Sequence, residues 1–198
     1  MPRSGVTQND PVPAEAVVAL ANTTYGPEAS LAPDGEWPMD RDVVDALVTP
    51  GRVAAMLRAQ GTRTPSGQPD ARQLRRLREI RAAAQALTRG AVREYQDLAR
   101  ALLGRYSFTL GTSGRLEHEG RGWDGFIVEI LLRLVEISKS SRLKTCKNPR
   151  CRWAFLDDSP SGRRVWCDMS TCGNRDKVAR FRSRQRAGSR RGSRSVRA

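Results

Sequence analysis

Residues 143–177 read LKTCKNPRCRWAFLDDSPSGRRVWCDMSTCGNRDK, and this stretch holds every cysteine of the 198-residue chain. The four fall in two pairs, Cys146-x4-Cys151 and Cys167-x4-Cys172, with 15 residues between the pairs. Two close pairs so separated are the arrangement of a four-thiolate zinc site. Zinc takes four ligands in a tetrahedron at Zn–S distances of about 2.3 Å, so each pair curls round the ion and the intervening segment returns the second pair to the first. Four cysteines fill that shell and leave no position for substrate or activated water, so one structural Zn2+ is expected. The lone histidine, His118, is followed by Glu119; both the H-x-E and the P-C-x-x-C halves of a zinc deaminase pattern are missing. Disulfide pairing is the competing use of such cysteines. The N-terminus, MPRSGVTQNDPVP, has no apolar core of a secretory signal, so a reducing cytoplasm and free thiols are expected.

Between the pairs, residues 152–155 and 163–166 are expected to form a hairpin turning at 157–162. Trp153, Phe155 and Trp166 supply the apolar contacts that so small a unit needs, with base stacking as the alternative use of Trp153 and Trp166. After Met169 a helix is expected, with Val178 and Phe181 as a narrow apolar contact to the finger. Arg175, Lys177, Arg180, Arg182, Arg184 and Arg186 are its candidate nucleic-acid contacts. From Gly173 to Ala198 there are ten basic residues and one acidic one, a net of +9. That density of cations beside a rigid zinc scaffold suits a phosphate backbone, while the competing reading of the Arg/Ser/Gly-rich end is a solubilising, disordered tail.

The residues of this stretch resemble a known family. Cys172-Gly173-Asn174-Arg175, preceded by Trp166-Cys167-Asp168-Met169, is similar to the signature of the CGNR zinc-finger family. Cys146-x4-Cys151-x3-Phe155-Leu-Asp157-x-Ser159 and Arg163-Arg164-x-Trp166 fit it too. The resemblance implies a C-terminal finger behind an N-terminal ABATE domain, and a bacterial regulator of transcription under stress. Within the tetrad, Gly173 lets the backbone pass close to the metal, Asn174 bonds a thiolate or caps, and Arg175 offsets the negative charge of a tetrathiolate site. Base contact is the other reading of Arg175.

Charge is unevenly spread. The chain carries 35 Lys and Arg against 21 Asp and Glu, a net of +14. Residues 1–50 hold 2 basic and 8 acidic side chains, whereas 151–198 hold 13 and 4. An acidic head and a basic end point to a polyanionic partner at the latter. No run of 18 apolar residues occurs, so no membrane span is expected.

The rest reads as helices with punctuation. Residues 1–13 are expected to be a disordered lead, 14–142 a mainly helical ABATE-like domain, 143–186 the finger and 187–198 a disordered tail. Residues 14–23, AEAVVALANT, suggest a helix closing in Asn22-Thr23. The ABATE-like pattern also has an apolar stretch ending in Asn-Thr, which makes both residues candidates to line a small-molecule site; the alternative is a helix cap or turn. Residues 24–38 read as a loop, and Asp40 as the cap of a short helix, 41–48. Thr49-Pro50 opens a helix to Gln60, with Val53, Met56 and Leu57 on one face. Asp70 caps the clearest helix, 70–89, in which Leu74, Leu77, Ile80, Ala84 and Leu87 share a face and Gly90 stops it. Its arginines, at 72, 75, 76, 78 and 81, suit a solvated face more than a nucleic-acid face. A helix over 91–103 buries Val92, Tyr95, Leu98 and Leu102. Residues 105–110 and 115–119 form a hairpin, with His118 at the surface. The apolar helix over 123–138 docks the finger onto the N-terminal domain.

The fold class expected is α+β: a mainly helical N-terminal domain with a small hairpin, followed by a treble-clef-like finger of hairpin and helix. The function expected is a zinc-dependent, DNA-binding regulator, cytoplasmic and nucleoid-associated, with an N-terminal domain that senses a ligand or partner. Double-stranded DNA is the expected partner. An RNA-binding or ribosome-associated zinc protein and a zinc-stabilised protein-interaction module are the alternatives. No Ser-His-Asp set, phosphate loop or open metal site is visible, so no catalysis is expected.

Overall fold

The computed structural model describes residues 12–23, 45, 47, 50–59, 61–112, 114–148 and 151–192, with side chains as far as 185. The expected disordered lead, apart from residues 12 and 13, and the loop over 24–38 lie outside these residues. So do Asp40 and most of the short helix expected over 41–48.

Five helices build the N-terminal part: α1 (Ala14–Ala21), α2 (Pro50–Ala59), α3 (Ala71–Thr88), α4 (Val92–Leu103) and α5 (Gly122–Ser138). A two-residue hairpin, β1 (Thr109–Leu110) and β2 (Leu116–Glu117), joins α4 to α5. The C-terminal part is a second antiparallel hairpin, β3 (Leu143–Thr145) and β4 (Ala154–Leu156), then a π-type turn over Met169–Gly173 that runs into α6 (Asn174–Gly192). The molecule is mainly helical with two small hairpins, as expected.

Local chemistry sets the boundaries. Asp70 and Gln73 form a capping box: the Asp70 carboxylate accepts from the Gln73 amide at 2.7 Å and the Gln73 side chain accepts from the Asp70 amide at 2.9 Å. At the other end of α3, Gly90 stands at φ +75°, and the amides of Gly90 and Ala91 reach back to the carbonyls of Leu87 and Ala86. This is the left-handed helix stop that only glycine enters without strain. The core is made by the 3.6-residue stripes of these helices; Leu20, Leu77, Ile80, Ile127, Ile130, Leu131 and Leu134 are fully buried.

β4 serves two interiors at once. Its side chains alternate, as a strand requires. Ala154 and Leu156 pack with the helical core, together with Leu143 of β3, while Phe155 packs among the cysteines. The finger is therefore built into the N-terminal core. The hairpin docks chiefly on α1 and α3, against β4 and β3 respectively, more than on α5, which packs against both of those helices.

Four other expectations need correction. The strand paired with β4 is Leu143–Thr145 and not 163–166. The short loop between Cys146 and Cys151 closes the ladder, with Arg152 at φ 51° and the Cys146 amide donating to the Trp153 carbonyl at 2.8 Å. The carbonyls of Gly162, Arg164 and Val165 are taken instead by the Lys144 ammonium and the Lys147 amide. Val92, at the first turn of α4, is 52 % exposed and not buried. The His118 side chain is only 9 % exposed; it accepts from the Gly120 amide through Nδ1 and lies 3.0 Å from a Glu129 oxygen through Nε2. Lastly, the arginines of α3 are largely internal ties. Arg72 and Arg76 hold Asp124, Arg78 donates to the Leu47 carbonyl, and Arg81 holds Asp45 and Thr23. The Arg81 guanidinium outweighs burial in holding the Asp45 carboxyl below its ordinary value.

Candidate metal centre and basic helix

The four cysteines converge. Their sulfurs lie within 4.8 Å of one another, with Cys151 3.6 Å from Cys167 and Cys167 3.7 Å from Cys172. A tetrahedron of sulfurs about 2.3 Å from zinc has edges of about 3.8 Å, so the quartet fits the ion. All four are free thiols; Cys146, Cys151 and Cys172 are buried and Cys167 is half-buried. They hold one structural zinc ion. When bound, it fixes four thiolates in place and joins the hairpin to the start of α6.

Without the ion the sulfurs must share protons. Hydrogen bonds from Cys151 and Cys167 pull the Cys146 thiol down to about 2. Donating to Cys146 pushes Cys151 up to about 12, and donating to Cys146 and Cys151 pushes Cys167 up as well. Four thiols crowded this closely cannot all ionise alone, and a divalent cation would relieve the crowding by replacing the shared protons.

Each pair has its own support. The first sits on the β3–β4 turn, where the Cys151 amide donates to the Asn148 carbonyl at 2.9 Å and the Asn148 side chain reaches Cys172 Sγ at 3.7 Å. The second is set by Asp168, whose carboxylate accepts from the Thr171 amide at 2.7 Å and from the hydroxyls of Ser170 and Thr171. Those bonds hold its carboxyl below the usual range and cap the π-type turn. That wide turn brings Cys172 back onto the ion across an x4 spacing and hands the chain to α6.

A polar lock behind the metal ties these pieces together. Asp157 is 1 % exposed and accepts from Lys144 Nζ at 2.6 Å, from the Ser159 amide at 3.0 Å and from the Arg164 amide at 3.0 Å. Burial works to raise its pKa, but the Lys144 ammonium and the Ser159 hydroxyl and amide overcome it and hold the carboxyl well below the carboxylate range. Arg164 stacks over the Phe155 ring at 5.1 Å and donates to the carbonyls of Trp166 and Cys167. A buried carboxylate thereby positions a metal ligand through one arginine. In the sequence, Asp157, Ser159 and Arg164 show only as a pattern; the acidic residues ahead of S-P-S-G are the signal for this role.

In the tetrad, Gly173 is buried, and a Cβ there would lie 2.4 Å from Met169 Sδ and 3.3 Å from Trp166 Cδ1. Glycine thus makes room for Met169 and Trp166. Arg175 is half-buried at the base of α6. Beyond it Lys177, Arg180, Arg182 and Arg184 are exposed, with Arg180 paired to Asp176 at 2.7 Å. Arg186 lies on α6 past the described side chains, and α6 continues to Gly192, beyond residue 186 where the finger was expected to end. Arginine's long unbranched stem favours the helical state, so the run extends it.

Asn22 and Thr23, the candidate ligand residues, are both buried. Asn22 stands at the C-cap of α1, and its carboxamide donates to the Ala154 carbonyl at 2.9 Å and accepts the Ala154 amide at 2.8 Å. The Thr23 hydroxyl donates to the Leu20 carbonyl and accepts from Arg81. Among the described residues no helix is long and apolar enough to cross a membrane.

Comparison with known families agrees with this geometry. A model described as "CGNR zinc finger" matches residues 142–185. Another, ABATE, described as "Putative stress-induced transcription regulator", matches residues 14–129. No curated protein matches the chain. With its helical part matched over more than half of the length and its four-cysteine centre matched behind it, the chain belongs to the ABATE family and ends in a CGNR zinc finger.

Proposed function

We propose that the protein is a DNA-binding transcription regulator, acting on the nucleoid and not as a catalyst, in which zinc aims α6 at double-stranded DNA. The observation that supports this reading is the set of exposed cations, Lys177, Arg180, Arg182 and Arg184, on a helix that grows directly from the metal centre. Such cations neutralise phosphates and reach guanine edges. The N-terminal part senses a ligand or partner. In support, Asn22 holds β4 from α1, so a change in the helical part bears on the finger. A cleft of about 430 Å3, lined by Ala14, Arg133, Glu136, Arg142 and Asp157, lies astride both parts.

Changing Arg180, Arg182 and Arg184 together to Ala is expected to abolish duplex binding at physiological salt while zinc content stays at one per chain. Residual binding at low salt should show a log–log salt slope shallower by about 3. Undiminished duplex binding removes the proposal. Preference for single-stranded RNA over duplex DNA in direct competition points to the RNA-binding alternative.

A further inference from the structure

α6 carries more than charge. Phe181 is 59 % exposed and Val178 39 % exposed, and the element that α6 packs on most is the π-type turn at its own base. The contact to the finger expected for this pair is therefore not what the pair is for. At about 100° per residue, Val178 lies about 60° from Phe181 on the helix surface, forming a short apolar ridge. Lys177 and Arg184 flank the ridge on the Phe181 side, and Arg182 flanks it on the Val178 side. Apolar side chains set between cations on an open helix ask for a partner that is anionic at its rims and apolar at its centre.

A second copy of the helix does not meet that request, because pairing two ridges would press the flanking cations together. An anionic membrane surface calls for a broad apolar face, and two residues do not make one. The major groove of DNA does meet it: phosphates line both edges, and the floor is polar except for the C5-methyl of thymine. A helix about 10–12 Å across fits a groove about 12 Å wide.

Resting on the reading of α6 as a duplex-DNA element, we propose that Phe181, with Val178 beside it, contacts thymine methyl groups and makes the protein selective for thymine at the centre of its site. The flanking cations supply affinity and the ridge supplies discrimination.

The test uses full-length, zinc-loaded protein. Duplexes are selected from a random-sequence pool, and the tightest is resynthesised with each thymine replaced in turn by deoxyuridine, which removes one methyl and nothing else. Affinity is expected to fall about fourfold at one or two positions, the worth of one methyl taken from contact. Phe181→Ala is expected to bind the parent duplex more weakly, to lose the thymine–uracil difference at those positions, and to keep zinc content and salt slope. Phe181→Leu should keep the difference. Indifference to uracil at every position, with salt-dependent binding intact, overturns the inference alone, as does an unchanged difference in Phe181→Ala. If the pool yields no duplex, the reading of α6 falls and this inference with it.

Discussion

Ala154 offers one amide and one carbonyl on the outer edge of β4, and Asn22 meets both with a single carboxamide. The side chain does there what a neighbouring strand would do. Asn22→Ala leaves two buried main-chain groups unpaired, so global stability should fall by roughly 2–4 kcal/mol, read from the denaturant midpoint. An unchanged midpoint would show that the carboxamide does not hold β4. The pairing spans 132 positions of sequence, so no local pattern could reveal it. At Gly173 the added methyl meets the thioether of Met169, the end of a flexible chain. Gly173→Ala should therefore cost about 1 kcal/mol and keep its zinc, and Met169→Ala should restore most of the loss in the double variant. Both residues were quoted from the sequence as motif letters; their neighbours were not legible because folding chose them.

At the scale of elements, the β3–β4 hairpin depends on the lock between Lys144 and Asp157. Asp157 keeps its proton less readily in the folded state than in the unfolded chain. Its contribution is thus present above the ordinary carboxylate value of about 4 and is lost as pH falls through the folded value. Asp157→Asn should be less stable than the parent at pH 7, and the gap in denaturant midpoint should close from about pH 5 downward. A constant gap would show that the carboxylate charge is not what matters. Helices α2 to α5 were legible to within a residue or two, because capping residues, stopping glycines and apolar stripes act over a single turn. The partner of β4 was not legible. Turn-forming residues at 157–162 advertise a hairpin, but the competing knuckle between Cys146 and Cys151 closes a shorter loop and brings the metal ligands together. The arginines of α3 misled for a related reason: sequence shows their charge but not that Asp45 and Asp124 wait opposite.

For the whole molecule, the two parts share one interior. Leu143, Ala154 and Leu156 lie with the helices, so neither part closes its core alone. A fragment ending at residue 141 is expected to lose cooperative unfolding, seen as a broadened thermal transition, whereas two independent units would leave it sharp. Chelating the zinc, or changing Cys172 to Ser, should likewise lower the melting temperature of the helical part along with that of the finger, since β4 belongs to both. A metal effect confined to the finger would contradict a shared core. The metal set itself was the most legible feature of the chain, because four ligands in two pairs within one short stretch leave few other arrangements.

The π-type turn at Met169–Gly173 places the last ligand in the coil that runs directly into α6. The ion therefore fixes the azimuth of that helix as well as its direction, as the first thread sets the rotation of a screw. One residue inserted after Asn174 would swing everything downstream by about 100°, leaving length, charge and composition almost unchanged. Four residues would return it to nearly the original bearing, one turn further out.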